Sequence, residues 1–352
     1  MALTAQPYFA SLLGDDEVAA LLDSGTDIAA MLRFEKALVR AEVQAGLIDS
    51  EAAETVIAAI GGFEPDMRRL TAATLRDGVP VPDLVSQLRE TIGEKAGRAL
   101  HFGATTQDVV DTATALKLAP VFALFEKRLG VVDQILAGLL DRFGGEPLMA
   151  YSRMQAAIMI TAGDRISVWR SAVARVAEGL ARQRQQMLVL SLAGAAGTAE
   201  KFADRIGAVR KAMADELGLS VPDYVPHTDR GRIADFGSFL SRITGALGKI
   251  GQDVALMVQN GIDQVEISGG GGSSAMPHKH NPVLAEVLVA LARYNATQVS
   301  GVHQALVHEQ ERSGSAWTLE WLILPQMIEA AALSLTHGAA MLTSIERIGE
   351  WR

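Results

Sequence analysis

The chain has 352 residues, a formal charge of −9, 49% hydrophobic residues and only 5% aromatic ones. That length exceeds one ordinary core, so two or more subdomains are expected, and apolar mass made mostly of Ala, Leu, Val, Ile and Met favours helices packed on helices. The acidic balance argues against nucleic acid or a membrane surface as a partner, yet leaves room for an anionic substrate held by a few converging basic groups. Cysteine is absent, which excludes disulfides, thiolate zinc sites and cysteine nucleophiles. The first residues carry no basic stretch ahead of an apolar core, and no uncharged run reaches membrane-spanning length, so the expected location is the cytoplasm.

Residues 1–16 read as irregular, with Pro7 and Gly14 as punctuation and Asp15, Asp16 and Glu17 placed where a helix starts. Ile28, Met31, Leu32, Leu38 and Val39 keep helical spacing over about 26–47. Shorter helical patterns follow at about 50–60, 66–76 and 83–92, broken by Gly61-Gly62, Pro65 and the V-P-V-P step at 79–82. These make a small N-terminal helical domain, residues 1–98. From the Gly/Thr-rich turn at 101–106 a helix is predicted to about Phe143, with Pro120 kinking it or ending a segment. Gly144, Gly145 and Pro147 break the chain before a helix predicted over about 153–190, and a short helix reaches Leu217. The strongest periodicity is Phe236, Leu240, Ile243, Leu247, Ile250, Val254 and Met257, alternating steps of four and three, within a helix of about 232–266. Two more long runs, about 283–311 and 318–349, complete the set, and no period-two segment stands out. The predicted class is all-α: a bundle of about five long helices over 99–352 behind the N-terminal domain.

Residues 269–282, GGGGSSAMPHKHNP, interrupt two of these helices. Four glycines and two prolines cannot sit cheaply in a helix, so the stretch is a loop. It combines a hydroxyl pair, Ser273 and Ser274, with the Lys279 ammonium and the Asn281 amide, a set suited to chemistry more than to connection. The loop lacks a preceding strand and a GK[ST] ending, which weakens a nucleotide cradle. His278 and His280 flank an ammonium, a poor setting for a cation, so neither a metal nor a cofactor is expected.

The block 272–282, G-S-S-A-M-P-H-K-H-N-P, resembles the GSSxMPxKxNP loop of the fumarase/aspartase superfamily, which includes argininosuccinate lyase, adenylosuccinate lyase and 3-carboxy-cis,cis-muconate cycloisomerase. H-F-G-A-T-T-Q-D at 101–108 is similar to that superfamily's H-x-G-x-T-S-x-D segment, and A-Y-S-R-M-Q-A-A at 150–157 lies where many members read G-R-T-H-x-Q-x-A. Two further stretches resemble the cycloisomerase branch: P-H-T-D-R-G-R at 226–232 and H-E-Q-E-R-S-G-S-A-W-T-L-E-W at 308–321. The resemblance implies a helical bundle assembled as a homotetramer whose active sites are shared among subunits. Members commonly carry a third, C-terminal helical domain, and this chain stops at Arg352, about where the last bundle helix is predicted to finish.

The superfamily interconverts an alkene bearing a carboxylate with its adduct through a carbanion whose charge spreads onto that carboxylate. Such chemistry needs a proton carrier at carbon and donors for the doubly charged carboxylate. The resemblance then implies Ser273 as the catalytic serine, with Lys279 and His101 beside it. Thr105, Thr106, Ser274, Met276 and Asn281 are implied in holding substrate. Arg153 stands at the histidine of the T-H-x-Q pattern. Members expelling an amine use that histidine to help the leaving nitrogen, whereas arginine binds carboxylate and serves poorly as an acid. Gln155 retains the pattern's amide, and His227, Arg230, Arg232 and Arg312 are candidate contacts. The implied reaction is the closure of a small tricarboxylate, 3-carboxy-cis,cis-muconate, to its lactone. The alternatives are a C–N lyase of the adenylosuccinate type and a crystallin-like structural descendant.

Overall fold

A computed structural model describes residues 6–269, 271–272 and 280–350. After a short 3-10 turn, the N-terminal part comprises α1 (Ala10–Leu13), α2 (Asp16–Leu21), α3 (Ser24–Gln44), α4 (Ser50–Ile60), α5 (Met67–Asp77), α6 (Val81–Ile92) and α7 (Glu94–Gly97). Aspartates start four of these helices: Asp15, Asp23, Asp49 and Asp66 each accept a backbone N–H from the first turn. The long elements are α8 (Thr106–Phe143), α9 (Ala162–Met187), α11 (Gly231–Met257), α12 (Val283–Gln304) and α13 (Ser315–Thr343), with the shorter α10 (Ile206–Leu217) between α9 and α11. The chain is all-α in class, and α8 continues through Pro120 without ending. No described helix is long and apolar enough to cross a membrane.

Two large cores and a small one between α12 and α13 are formed by the described residues. The larger joins the five long helices, with Phe122, Phe125, Trp169, Phe236, Phe239 and Leu240 at its centre, all at most 1% exposed. The second packs α3 to α6 against α10 and the first turns of α8, through Phe34, Leu38, Val109, Phe202 and Met213. Helices α11 and α12 approach so closely that a Cβ on Gly251 would stand 2.7 Å from the carbonyl oxygen of Ala285.

Four predicted elements need correction, among them the helical run expected over about 318–349, which ends at Thr343 ahead of a short strand. The helix expected from about 153 begins only at Ala162, because residues 147–161 form an antiparallel hairpin of β1 (Pro147–Ser152) and β2 (Gln155–Thr161). Arg153 and Met154 make its two-residue turn with φ of 50° and 68°, the left-handed pair that a tight hairpin turn requires. The helix expected to 266 ends at Met257 and is followed by β3 (Val265–Ile267), which pairs with β4 (Ile345–Ile348). The run expected over 283–311 stops at Gln304, leaving 305–314 as a loop before α13.

Candidate active site

The bundle has two ends, and the motif residues divide between them. Thr106 opens α8, and its 38 residues span about 57 Å at 1.5 Å per residue, so the hairpin that follows lies at the far end. Helix α11 starts where Arg230 meets Asp111 in the second turn of α8. It finishes toward the hairpin, where Gln264 Nε2 donates to the Met149 carbonyl at 3.0 Å. Helix α12 runs back antiparallel, since Gly251 faces Ala285 and Gly237 faces Val302. Thus His101, Thr105, Thr106, His227, Arg230 and Arg312 gather at one end, whereas Arg153, Gln155 and Asn281 lie at the other. Ser273, Ser274, Met276 and Lys279 lie outside the described residues.

At the first end Asp108 is the organising group, fully buried. One carboxylate oxygen accepts the N–H of Thr105 at 3.0 Å and of Gly194 at 3.0 Å, and the other accepts the N–H of Ala193 at 2.8 Å and faces His227 Nε2 at 2.7 Å. This single side chain ties the start of α8 to the 191–198 loop and to the segment before α11. His227 is 1% exposed and its carbonyl accepts from Gln107 Nε2 at 2.7 Å, so it is enclosed within the chain.

Three arginines near this end differ in what they face. Arg230, 3% exposed, donates from Nε and Nη2 to the two oxygens of Glu320 at 2.8 and 2.5 Å. Its Nη1 donates to Asp111 at 2.5 Å and to the Pro226 carbonyl at 2.9 Å. Burial alone would raise the Asp111 carboxyl, but the guanidiniums of Arg230 and Arg232 hold it below its ordinary value. Trp317 Nε1 donates to Asp111 at 3.3 Å. Arg232 is 3.9 Å from Asp111, and burial together with the Arg230 charge pulls its pKa down. Arg312 instead donates from Nη2 to the Thr105 hydroxyl at 2.9 Å and to the Ala195 carbonyl at 3.0 Å, and no described carboxylate lies in salt-bridge range of it. Arg312 and Thr106 line a cleft of about 790 Å³ together with Ser313, Ser315 and Trp317.

His101 sits four residues before Thr105 in a left-handed conformation, φ 60°. Its Nδ1 is 2.6 Å from Glu35 Oε1 on α3. Burial pulls the imidazole pKa down, but the Glu35 charge and hydrogen bond, aided by Asp108, outweigh it and leave it raised.

At the other end Arg153 is exposed on the hairpin turn, with Gln155 paired to Ser152 beside it. The side chains of Met154, Ile158 and Met159 are 71%, 67% and 51% exposed, an apolar surface on a two-stranded element. Asn281 exchanges both backbone hydrogen bonds with Gly271 at 2.9 Å and so pinches the base of the glycine-serine loop. A Cβ on Gly271 would stand 2.7 Å from Val283, which explains a glycine there.

Sequence reasoning did not single out Glu35, Asp111 or Glu320. Asp108 and Glu320 lie inside quoted motif segments, so a signal existed for them; Asp111 and Glu35 look like ordinary polar positions of amphipathic helices.

The family model described as a lyase matches residues 18–301. The 3-carboxy-cis,cis-muconate cycloisomerase of Pseudomonas aeruginosa is 35% identical over 322 residues, 90% of this chain and 70% of that protein. Among solved structures, a fumarate lyase from Mesorhizobium sp. BNC1 superposes with a TM-score of 0.89 at 31% identity, covering 99% of this chain and 78% of the other. The 3-carboxy-cis,cis-muconate lactonizing enzyme of Pseudomonas putida superposes with a TM-score of 0.89 at 30% identity, covering 97% and 77%. These matches agree with the motif segments and with the helical bundle, and the chain belongs to the lyase family of the fumarase/aspartase superfamily.

Proposed function

We propose that this chain is a cycloisomerase closing 3-carboxy-cis,cis-muconate to 4-carboxymuconolactone. The observation that carries the reading is Arg312. Its charge is not neutralised by a described carboxylate, and it leans on Thr105 at the amino end of a 38-residue helix, where backbone N–H groups and the helix dipole favour an anion. Similarity to the Pseudomonas aeruginosa cycloisomerase supports the substrate. Arg153, standing where amine-expelling members carry histidine, supports a carboxylate as the group added.

In this reaction one substrate carboxylate attacks the alkene carbon through oxygen, and the C=C electron pair moves onto the neighbouring carboxylate as an enediolate. A proton then adds to the adjacent carbon, so the tri-anion takes up one proton and leaves as a dianionic lactone. Arg312, Thr105, Thr106 and His101 hold carboxylate at one end, Arg153, Gln155 and Asn281 supply contacts from the other, and Ser273 delivers the proton with Lys279, Ser274 and Met276 around it. Residues separated by a helix of about 57 Å cannot meet on one small molecule within one chain. The reading therefore includes assembly with further copies as a homotetramer, the exposed hairpin of one copy facing the α8 end of another.

The test is absorbance: the conjugated diene of 3-carboxy-cis,cis-muconate should disappear with turnover, and Ser273→Ala should slow it by orders of magnitude while the helical circular dichroism stays. Wild-type protein that leaves the diene intact while releasing fumarate from a succinyl adduct would replace this reading with a lyase.

A further inference from the structure

Two buried carboxyl groups on α3 are unexplained by the reaction above. Glu35 is 1% exposed and Glu42, two turns along the same face of α3, is fully buried. Among the described residues, Glu35 Oε2 and both carboxyl oxygens of Glu42 have no hydrogen-bond partner. Two carboxylates cannot both stay charged in such a place. Burial, with the Glu35 charge adding to it, pushes Glu42 up to about 9, so Glu42 holds its proton at neutral pH. Among the described residues the Glu35 carboxylate pairs with the His101 ring, at 2.6 Å.

We propose that Glu35 is a positioning residue for His101: its carboxylate holds Nδ1–H and so presents Nε2–H to a substrate carboxylate at the corner formed by Thr105, Thr106 and Arg312. The inference rests on the proposed function for its ligand, and on the structure alone for the pairing. Three features support it. His101 occupies a left-handed backbone conformation that non-glycine residues adopt at a cost, so the ring's placement is held by its surroundings. Glu35 comes from a helix 66 residues earlier in the chain, so the pair also locks α3 to the turn that starts α8. And with Nδ1 committed, Nε2 is the ring nitrogen left for a ligand. The other charged groups that act on the ring are Asp108, which favours the imidazolium, and Arg89, which opposes it while donating to the Gly97 and Leu100 carbonyls. Glu42, already neutral, adds no charge to this balance.

The experiment titrates His101 by NMR in ring-labelled protein, assigned by its loss in His101→Gln, alongside the pH profile of turnover. In Glu35→Gln the His101 titration should move to lower pH, because the raised value depends on the Glu35 charge. The upper-pH limb of kcat/KM should move with it, and KM should rise more than kcat falls. Glu35→Asp, which keeps the charge, should restore part of both shifts. Glu42→Gln, which swaps one neutral buried group for another, should leave titration and turnover as in the wild type. If Glu35→Gln fails to fold, Glu35→Asp against wild type carries the comparison, a lengthened contact lowering the titration. A His101 titration unchanged in either variant would overturn the pairing. A titration that moves while the kcat/KM profile stays put would overturn the link to substrate. The NMR arm needs no substrate, so a wrong substrate assignment is told apart from a wrong pairing.

Discussion

The two ends of the bundle are built on opposite principles. At the α8 start, charged groups are buried and matched: Arg230 lies between Asp111 and Glu320, and Asp108 accepts three backbone N–H groups and faces His227. At the hairpin end, Arg153 and a row of apolar side chains face outward on two short strands. One end sets its buried charges against partners inside the chain. The other is a projecting surface whose groups have few partners in their own chain. An arginine's motif position therefore says little about its job. Arg230 and Arg312 both fall in motif segments, yet of the two only Arg312 keeps its charge free of described carboxylates.

The largest effect should come from breaking the matched end. Asp111→Ala strips Arg230 of one of its two carboxylates and leaves a guanidinium buried with unequal charge around it. Removing one partner of a buried ion pair costs on the order of 3–5 kcal/mol. Urea unfolding followed by circular dichroism should show that loss with an unchanged m-value. A loss below about 1 kcal/mol would mean that the cluster is not the clamp at this end.

Much of this fold was legible because helices announce themselves through three-and-four spacing and acidic caps. The helix α11 follows the periodicity from Phe236 to Met257, and Asp15, Asp23, Asp49 and Asp66 start the early helices as their side chains allow. The hairpin was hidden for a physical reason. Its turn uses Arg153 and Met154 at positive φ where glycine or asparagine would have signalled it, and its strand residues 155–159 are all exposed, so no apolar alternation marks them. The Thr105–Arg312 corner could be read from motif segments. What each arginine faces could not, because the deciding carboxylates sit 119 and 90 residues from Arg230 in sequence. Glu35 was invisible for the same reason: only folding brings it against His101.

The contrast between ends sharpens when one arginine from each is removed. Arg312→Ala should lower kcat/KM about a hundredfold, the scale for one charged donor on a developing anion. Stability should change by less than about 1 kcal/mol, since among the described residues the Arg312 side chain bonds a hydroxyl and a carbonyl. Arg153→Ala should leave stability within about 0.5 kcal/mol, as expected of an exposed turn residue, and still reduce turnover on the proposed reading. Mixing the two impaired variants through mild denaturation and refolding should recover part of the activity, because some sites then draw an intact arginine from each copy. A mixture no more active than its parts would remove the shared site, leaving the two ends unrelated in function.

The smallest effect tests how the N-terminal segment is fastened to the bundle. Asp15, on the connection between α1 and α2, faces Arg128 of α8 at 2.5 and 3.1 Å, and Thr336 of α13 donates to it at 3.2 Å. Burial would raise the Asp15 carboxyl, but the hydrogen bonds from Arg128 and Val18 and the Arg128 charge hold it below 3.8. A carboxyl depressed on folding contributes stability that is fully present above its unfolded value and is lost as pH falls through its folded value. Asp15→Asn keeps the oxygen that caps α2 through the Val18 N–H and removes the charge together with the Oδ2 acceptor that Arg128 and Thr336 use. The variant should therefore be less stable than the wild type by about 1–2 kcal/mol at neutral pH, the scale of a hydrogen bond to a charged group. The gap should narrow below the ordinary carboxylate range, as the wild type loses what the variant never had. Melting curves from pH 7 down to about 3 read both quantities. A gap constant with pH would mean that Asp15 acts through shape and capping alone, and that Arg128 is held as firmly by Glu17, its other carboxylate at 2.8 Å.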